Sequence, residues 1–178
     1  MKNFARIFSH NLLIIALAFS CTAFGQVFSR SSSDPSPAGF RGITWGKHIS
    51  ETSDLKRIGL LNLYEGKDQM TAYSRDKDDL EIGYGKAEDI TYLFWKDKFY
   101  GVFIKSVGNT NRNEFEKAIT NWIGRSSSKK DTTSMESLEW NRERVRIVLE
   151  YRKTALAKKQ DVSLYIISRE MEASLMGF

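Results

Sequence analysis

Residues 90–107 restrict the possible folds more than any other part of the chain. They read Ile90-Thr91-Tyr92-Leu93-Phe94-Trp95, then Lys96-Asp97-Lys98, then Phe99-Tyr100-Gly101-Val102-Phe103-Ile104 and on to Val107. Two aromatic and β-branched runs joined by a short polar connection predict a β-hairpin. Alternate side chains of a strand point to opposite faces, so Ile90, Tyr92 and Phe94 share one face while Leu93 and Trp95 share the other. Both faces of this hairpin therefore need cover.

A later strand at 144–152 is simpler. Val145, Ile147, Leu149 and Tyr151 fall on one face, and Arg144, Arg146, Glu150 and Arg152 on the other, the pattern of a half-buried antiparallel strand. Further strands are expected at 40–45, 60–64, 70–74, 80–84, 137–140 and 162–169, with turns at Gly66 and at the polar run 75–79. Helical spacing appears twice. Ile49, Leu55 and Ile58 would line a short helix over 49–58, and Phe115, Ala118, Ile119, Trp122 and Ile123 line a second that starts near Asn111 and ends at Gly124. A polar stretch at 125–134 reads as flexible. The chain thus predicts an α+β fold, a single antiparallel sheet of about six to eight strands with two helices packed on one face. The second aromatic face would then meet loops, a ligand or another subunit. That makes Trp45, Tyr92, Trp95 and Tyr100 the candidate ligand- or partner-binding residues.

The N-terminus adds a location. Lys2 and Arg6 precede an uncharged apolar run at 11–19, and Ala23-Phe24-Gly25 supplies small residues for a signal peptidase, so 1–25 reads as a secretory signal peptide. The run is too short to span a bilayer, which needs about 20 apolar residues. Cys21 after Ala18-Phe19-Ser20 offers the alternative of a lipid anchor, at the inner or outer membrane, although Phe19 is bulky for that signal. Either route places the domain in the periplasm or outside the cell. Residues 26–38, with both prolines of the chain and a serine cluster, read as a solvated linker. The folded domain is expected over 39–172, with a tail at 173–178.

Removal of the signal segment changes the available chemistry. The full chain has 178 residues, 27 Lys and Arg against 22 Asp and Glu, two histidines and one cysteine. Without 1–25 it has 153 residues, a net charge of +3, His48 as its one histidine and no cysteine. A cysteine nucleophile and a His- or Cys-rich zinc site are then excluded, as is any disulfide. Stability must come from a core, and a chain of this length buries about 68–70% of its extended surface. No serine lies in a G-x-S-x-G context, Asp76, Asp78 and Asp79 lack the glycine and glutamate of a calcium loop, and Gly83-Tyr84-Gly85 lacks the third glycine of a dinucleotide fingerprint. No catalytic residue, metal ligand or cofactor is therefore assigned. The basic residues at 142–159 are interrupted by Glu143 and Glu150, which reads as a mixed solvated face rather than a nucleic-acid surface.

Four short stretches carry a resemblance: Phe40-Arg41-Gly42-Ile43-Thr44-Trp45-Gly46 continuing to Ile49-Ser50-Glu51; Asp79-Leu80-Glu81-Ile82-Gly83; Ile90 to Trp95 with Phe99-Tyr100-Gly101-Val102; and Leu149-Glu150-Tyr151. Together they resemble a family of uncharacterised small exported bacterial proteins that open on F-x-G-I-x-W-G. The resemblance implies an envelope location and no known activity. The polar segment at 126–134 departs from it.

The functional expectation is an exported, non-enzymatic binding or interaction domain of the bacterial envelope, with an envelope protein or polymer as partner and the membrane involved only through Cys21. The alternatives are a hydrolase of cell-wall polymer using paired carboxylates, such as Glu81 with Glu88 or Glu139 with Glu150, and a secreted enzyme inhibitor presenting the 126–134 loop.

Overall fold

The computed structural model describes residues 30–31, 34–65, 67–153 and 160–177. The signal segment with Cys21 and the turn at Gly66 lie outside the described residues. One eight-stranded sheet dominates. Its strands are β1 (Leu55–Leu61), β2 (Met70–Arg75), β3 (Asp89–Trp95), β4 (Lys98–Val107), β5 (Ser128–Asp131), β6 (Met135–Asn141), β7 (Val145–Arg152) and β8 (Asp161–Ser168). Helix α1 (Asn109–Ile123) follows β4 and helix α2 (Arg169–Met176) follows β8. The spatial order is β5-β6-β7-β8-β4-β3-β2-β1, and every neighbouring pair is antiparallel. The fold is thus two four-stranded meanders, each followed by a helix and joined where β4 meets β8.

The central hairpin forms as its sequence demands. Lys96 and Asp97 both take positive φ, 48° and 62°, the conformation of a two-residue turn whose twist matches that of its strands. Phe99 pairs with Phe94 but Gly101 pairs with Leu93, so Tyr100 is an extra residue in a bulge. The opening motif makes a smaller hairpin, Gly39–Phe40 against Ile43–Thr44, turning on Arg41 and Gly42 at φ 46° and 82°.

Two apolar clusters lie on opposite sides of the sheet. On the first face Tyr92, Phe94, Phe99, Val102, Ile104, Ile147 and Ile166 pack beneath Phe115, Ile119 and Ile123 of α1. These helical residues recur every fourth position and so form one buried stripe. Rings run in contact across this face, with centroids 5.0 Å apart for Trp45 and Phe99, 5.3 Å for Phe94 and Phe99, and 5.1 Å for Tyr73 and Phe94. On the second face Met70, Ala72, Leu93, Trp95, Tyr100 and Ile167 pack with Met171 and Leu175 of α2. The helices therefore do not share a face.

Besides the expected packing of both helices on one face, four expectations need correction. Residues 49–58 are not a helix: Ile49–Glu51 forms one short 3-10 turn and Leu55–Leu61 is a strand. Thr52, Ser53 and Asp54 explain the break, since short polar side chains compete for the backbone, and the Thr52 hydroxyl donates to the Ile49 carbonyl at 2.7 Å. The tail at 173–178 is largely helix α2, capped by the Ser168 hydroxyl, which accepts from Met171 N at 3.3 Å, and by Gly177 in the left-handed conformation. The linker is folded at its C-terminal end, where Ser36 is fully buried and the Pro37 carbonyl accepts from Trp45 Nε1 at 2.8 Å. The polar stretch at 125–134 contains β5, because pairing with β6 satisfies its backbone while its exposed side chains stay wet.

Gly101 sits at the β4–β8 joint, where an added Cβ would lie 2.5 Å from the Ile166 carbonyl oxygen. Backbone cannot retreat from it as a flexible side chain would. Gly101→Ala should destabilise the domain by about 1–3 kcal/mol, read as a lower urea midpoint with an unchanged m-value.

Candidate functional site

The four residues singled out from the sequence lie in the interior or at its rim. Tyr92 and Tyr100 are fully buried, Trp95 is 8% exposed, and Trp45 is partly buried against Phe99. Each has a polar anchor. Trp95 Nε1 donates to Asp68 Oδ2 at 3.2 Å, with Lys96 Nζ over its ring at 4.4 Å. Tyr92 Oη donates at 2.9 Å to Asp78, whose other oxygen pairs with Arg41 Nη1 at 2.5 Å, and Arg75 lies over the Tyr92 ring at 4.9 Å. Burial and then the Asp78 charge push the Tyr92 hydroxyl well above its ordinary range, so it stays a neutral donor. This corner ties the opening hairpin to the sheet, which makes the F-x-G-I-x-W-G motif part of the packing.

Tyr100 belongs to a different arrangement. Its hydroxyl lies 3.1 Å from Tyr64 Oη, which donates to Glu172 Oε1 at 2.6 Å and accepts from Arg146 Nη2 at 2.9 Å. Arg146 Nε also donates to both Glu172 oxygens at 3.1 Å, and its Nη1 lies 3.6 Å from Glu139. The four groups clasp α2, β7, the β4 bulge and the chain after β1. Burial would raise the Glu172 carboxyl, but the hydrogen bonds from Arg146 and Tyr64 outweigh it and hold that group below its ordinary value. Burial also raises Tyr100, reinforced by Tyr64.

Beyond this clasp the second face opens. Cross-strand register places side chains there in rows. The row under α2 runs Leu93, Gly101, Ile167, Arg146. The next runs Thr91, Phe103, Tyr165, Val148, Glu139, and a third runs Asp89, Lys105, Ser163, Glu150, Ser137. Phe103 and Tyr165 are only partly buried and stack at 4.8 Å with an 18° interplanar angle. Lys105 Nζ lies 5.5 Å from the Phe103 ring centre. Burial, and then the charge of Glu150, push the Tyr165 hydroxyl up. Beside the middle of the third row, toward the strand ends, a cavity of about 240 Å³ is lined by Glu88, Lys105, Glu150, Arg152, Asp161 and Ser163 among others.

This flank offers apolar ring edges beside side chains of both charge signs, the makings of a contact surface. Among the described residues no group of three or more His, Cys, Asp or Glu is placed to hold a metal ion. His48 is exposed, with Nδ1 2.8 Å from Ser50 Oγ. Comparison with protein-family models, curated proteins and solved structures finds no match for the chain.

Phe103, Tyr165, Tyr64, Arg146 and Glu172 are absent from the candidate site residues read from the sequence. A signal existed for the first two: β4 and β8 carry apolar residues at odd as well as even positions, so each has a second apolar face. Their pairing was not legible, because it joins residues more than sixty positions apart.

The clasp predicts a pH dependence. Because the folded value of Glu172 lies below its ordinary 4.5, its contribution is present above that value and is lost as pH falls through the folded one. Urea unfolding at pH 7 and pH 3 should show a smaller stability difference for Glu172→Gln than for the parent. At pH 7 the variant should be weaker by about 2 kcal/mol.

Proposed function

We propose that the chain is an exported bacterial envelope protein whose folded domain binds a protein partner through the open flank of its sheet. Export rests on the charged, apolar and small-residue order of 1–25 and on the resemblance of the opening motif. The binding reading rests on one observation: the partly exposed Phe103–Tyr165 stack in the middle of a sheet flank that neither described helix covers. Aromatic side chains contribute large apolar area at low entropic cost, and such anchors dominate interface energies. The neighbouring charges alternate in sign, from Asp89 and Lys105 to Glu150 and Arg152. A protein surface of mixed charge complements that pattern better than a polymer of one sign.

The test is cross-linked capture from envelope extract, using the protein recovered from the envelope and a Phe103→Ala/Tyr165→Ala variant. The parent should begin at Gln26 or carry an acyl group at Cys21, and should retain a defined protein partner. The variant should recover about tenfold less of it while keeping its fold, as judged by circular dichroism. Equal recovery by both, or an intact Met1 on a protein confined to the cytoplasm, would contradict the proposal.

A carboxylate-dependent hydrolase of cell-wall polymer is the second reading, favoured by the sharing of one cavity by Glu88, Glu150 and Asp161. It requires soluble fragments to be released from purified cell wall, and Glu150→Gln should abolish that release. No release by the parent protein removes this reading.

A further inference from the structure

The two edges of the sheet are finished differently. β5 is four residues long and exposes Lys129, Lys130 and Asp131, the short charged edge that discourages further strand pairing. β1, at the opposite edge, is seven residues long. It exposes Ile58 and Leu60 by 53% and 54%, two of the three exposed large hydrophobic side chains among the described residues. Among the described residues β2 is its one neighbour in the sheet, so alternate N–H and C=O groups along its outer side face away from that neighbour.

Two features of β1 select what can pair with it. Lys56 and Arg57 are exposed, and the strand contains no carboxylate. The strand is also bulged between Arg57 and Gly59. A second copy pairing antiparallel about Ile58 would set bulge against bulge, and a shift in register toward the N-terminus would bring Lys56 and Arg57 against their own counterparts. An extended segment from another protein meets neither obstacle.

We propose that the outer edge of β1 accepts an extended segment of a partner protein as an added antiparallel strand. Carboxylate side chains of that segment lie opposite Lys56 and Arg57, and apolar ones lie beside Leu60. Main-chain hydrogen bonds supply the affinity, and the two cations set the preference for acidic sequence. The edge lies at the β1 end of the sheet and the Phe103–Tyr165 flank near its middle, so the two surfaces can succeed or fail separately.

The probe is a fluorescein-labelled peptide, Val-Thr-Val-Thr-Glu-Asp-Val, blocked at both ends, whose adjacent acids can lie opposite Arg57 and Lys56 with a valine beside Leu60; a lysine-for-acid version and a version N-methylated at alternate amides are the controls. Anisotropy with the full chain should show binding of the acidic peptide alone. Hydrogen exchange should show new protection over residues 55–61. Lys56→Glu/Arg57→Glu should weaken binding about tenfold, and Phe103→Ala/Tyr165→Ala should leave it unchanged. Absence of binding, equal binding of the lysine peptide, or protection appearing on the flank would overturn the proposal. Protection of the outward-facing amides of 55–61 before peptide is added would also overturn it, and sedimentation would then assign the edge to a second copy or to another part of the same chain.

Discussion

Seven residue pairs, from Gly101 with Ile167 to Val107 with Asp161, join the two meanders into one sheet. The joint closes a long loop, and the entropic cost of that closure is offset by burial on both sides of it. Val102, Ile104, Leu164 and Ile166 fill the first face, while Ile167 and the Phe103–Tyr165 stack lie on the second. Gly101 lets the strands approach where a side chain would strike backbone. Without this joint each meander would keep a second unpaired edge and expose half of a two-faced strand.

The difference between the two faces follows from helix length. β4 and β5 run parallel at opposite ends of a four-strand span, so their connection must cross β8, β7 and β6. Four strand spacings of about 4.8 Å are matched by the rise of α1, 15 residues at about 1.5 Å each. α1 therefore covers the first face in the course of making its connection. α2 has eight residues, a rise of about 12 Å, and reaches over only two or three strands. The second face is covered where α2 and the chain after β1 meet Tyr100, and is open around Phe103 and Tyr165.

The polar groups serve the same geometry. Arg41, Asp78 and Tyr92 fasten the opening hairpin to the first face, and Arg146, Glu172, Tyr64 and Tyr100 fasten α2 to the second. In each case a charge pair meets a tyrosine held neutral by burial, so the hydroxyl donates to a carboxylate. The arrangement adds fixed polar contacts to short elements that each bury only two large apolar side chains, Phe40 and Ile43 in the hairpin and Met171 and Leu175 in α2.

Local pattern was enough for the central hairpin, the one-faced strand β7, the stripe on α1 and the polar turn at Asp76 and Lys77, because each depends on side chains a few positions apart. α2 was readable in principle from Ser168, Glu170, Glu172 and Gly177, but two turns of helix give too short a period to stand out. The helical spacing at Ile49, Leu55 and Ile58 failed because pairing with β2 offered that segment a better use of its backbone. The sequence by itself determined that residues 90–107 form a hairpin apolar on both faces and that the chain builds an antiparallel α+β domain. Only the tertiary structure decided that the helices take opposite faces, that Tyr92 and Tyr100 are interior, and that Phe103, Tyr165 and the β1 side chains Ile58 and Leu60 stay partly or largely exposed. Those outcomes depend on which distant strands meet, and alternation along a single strand carries no information about that.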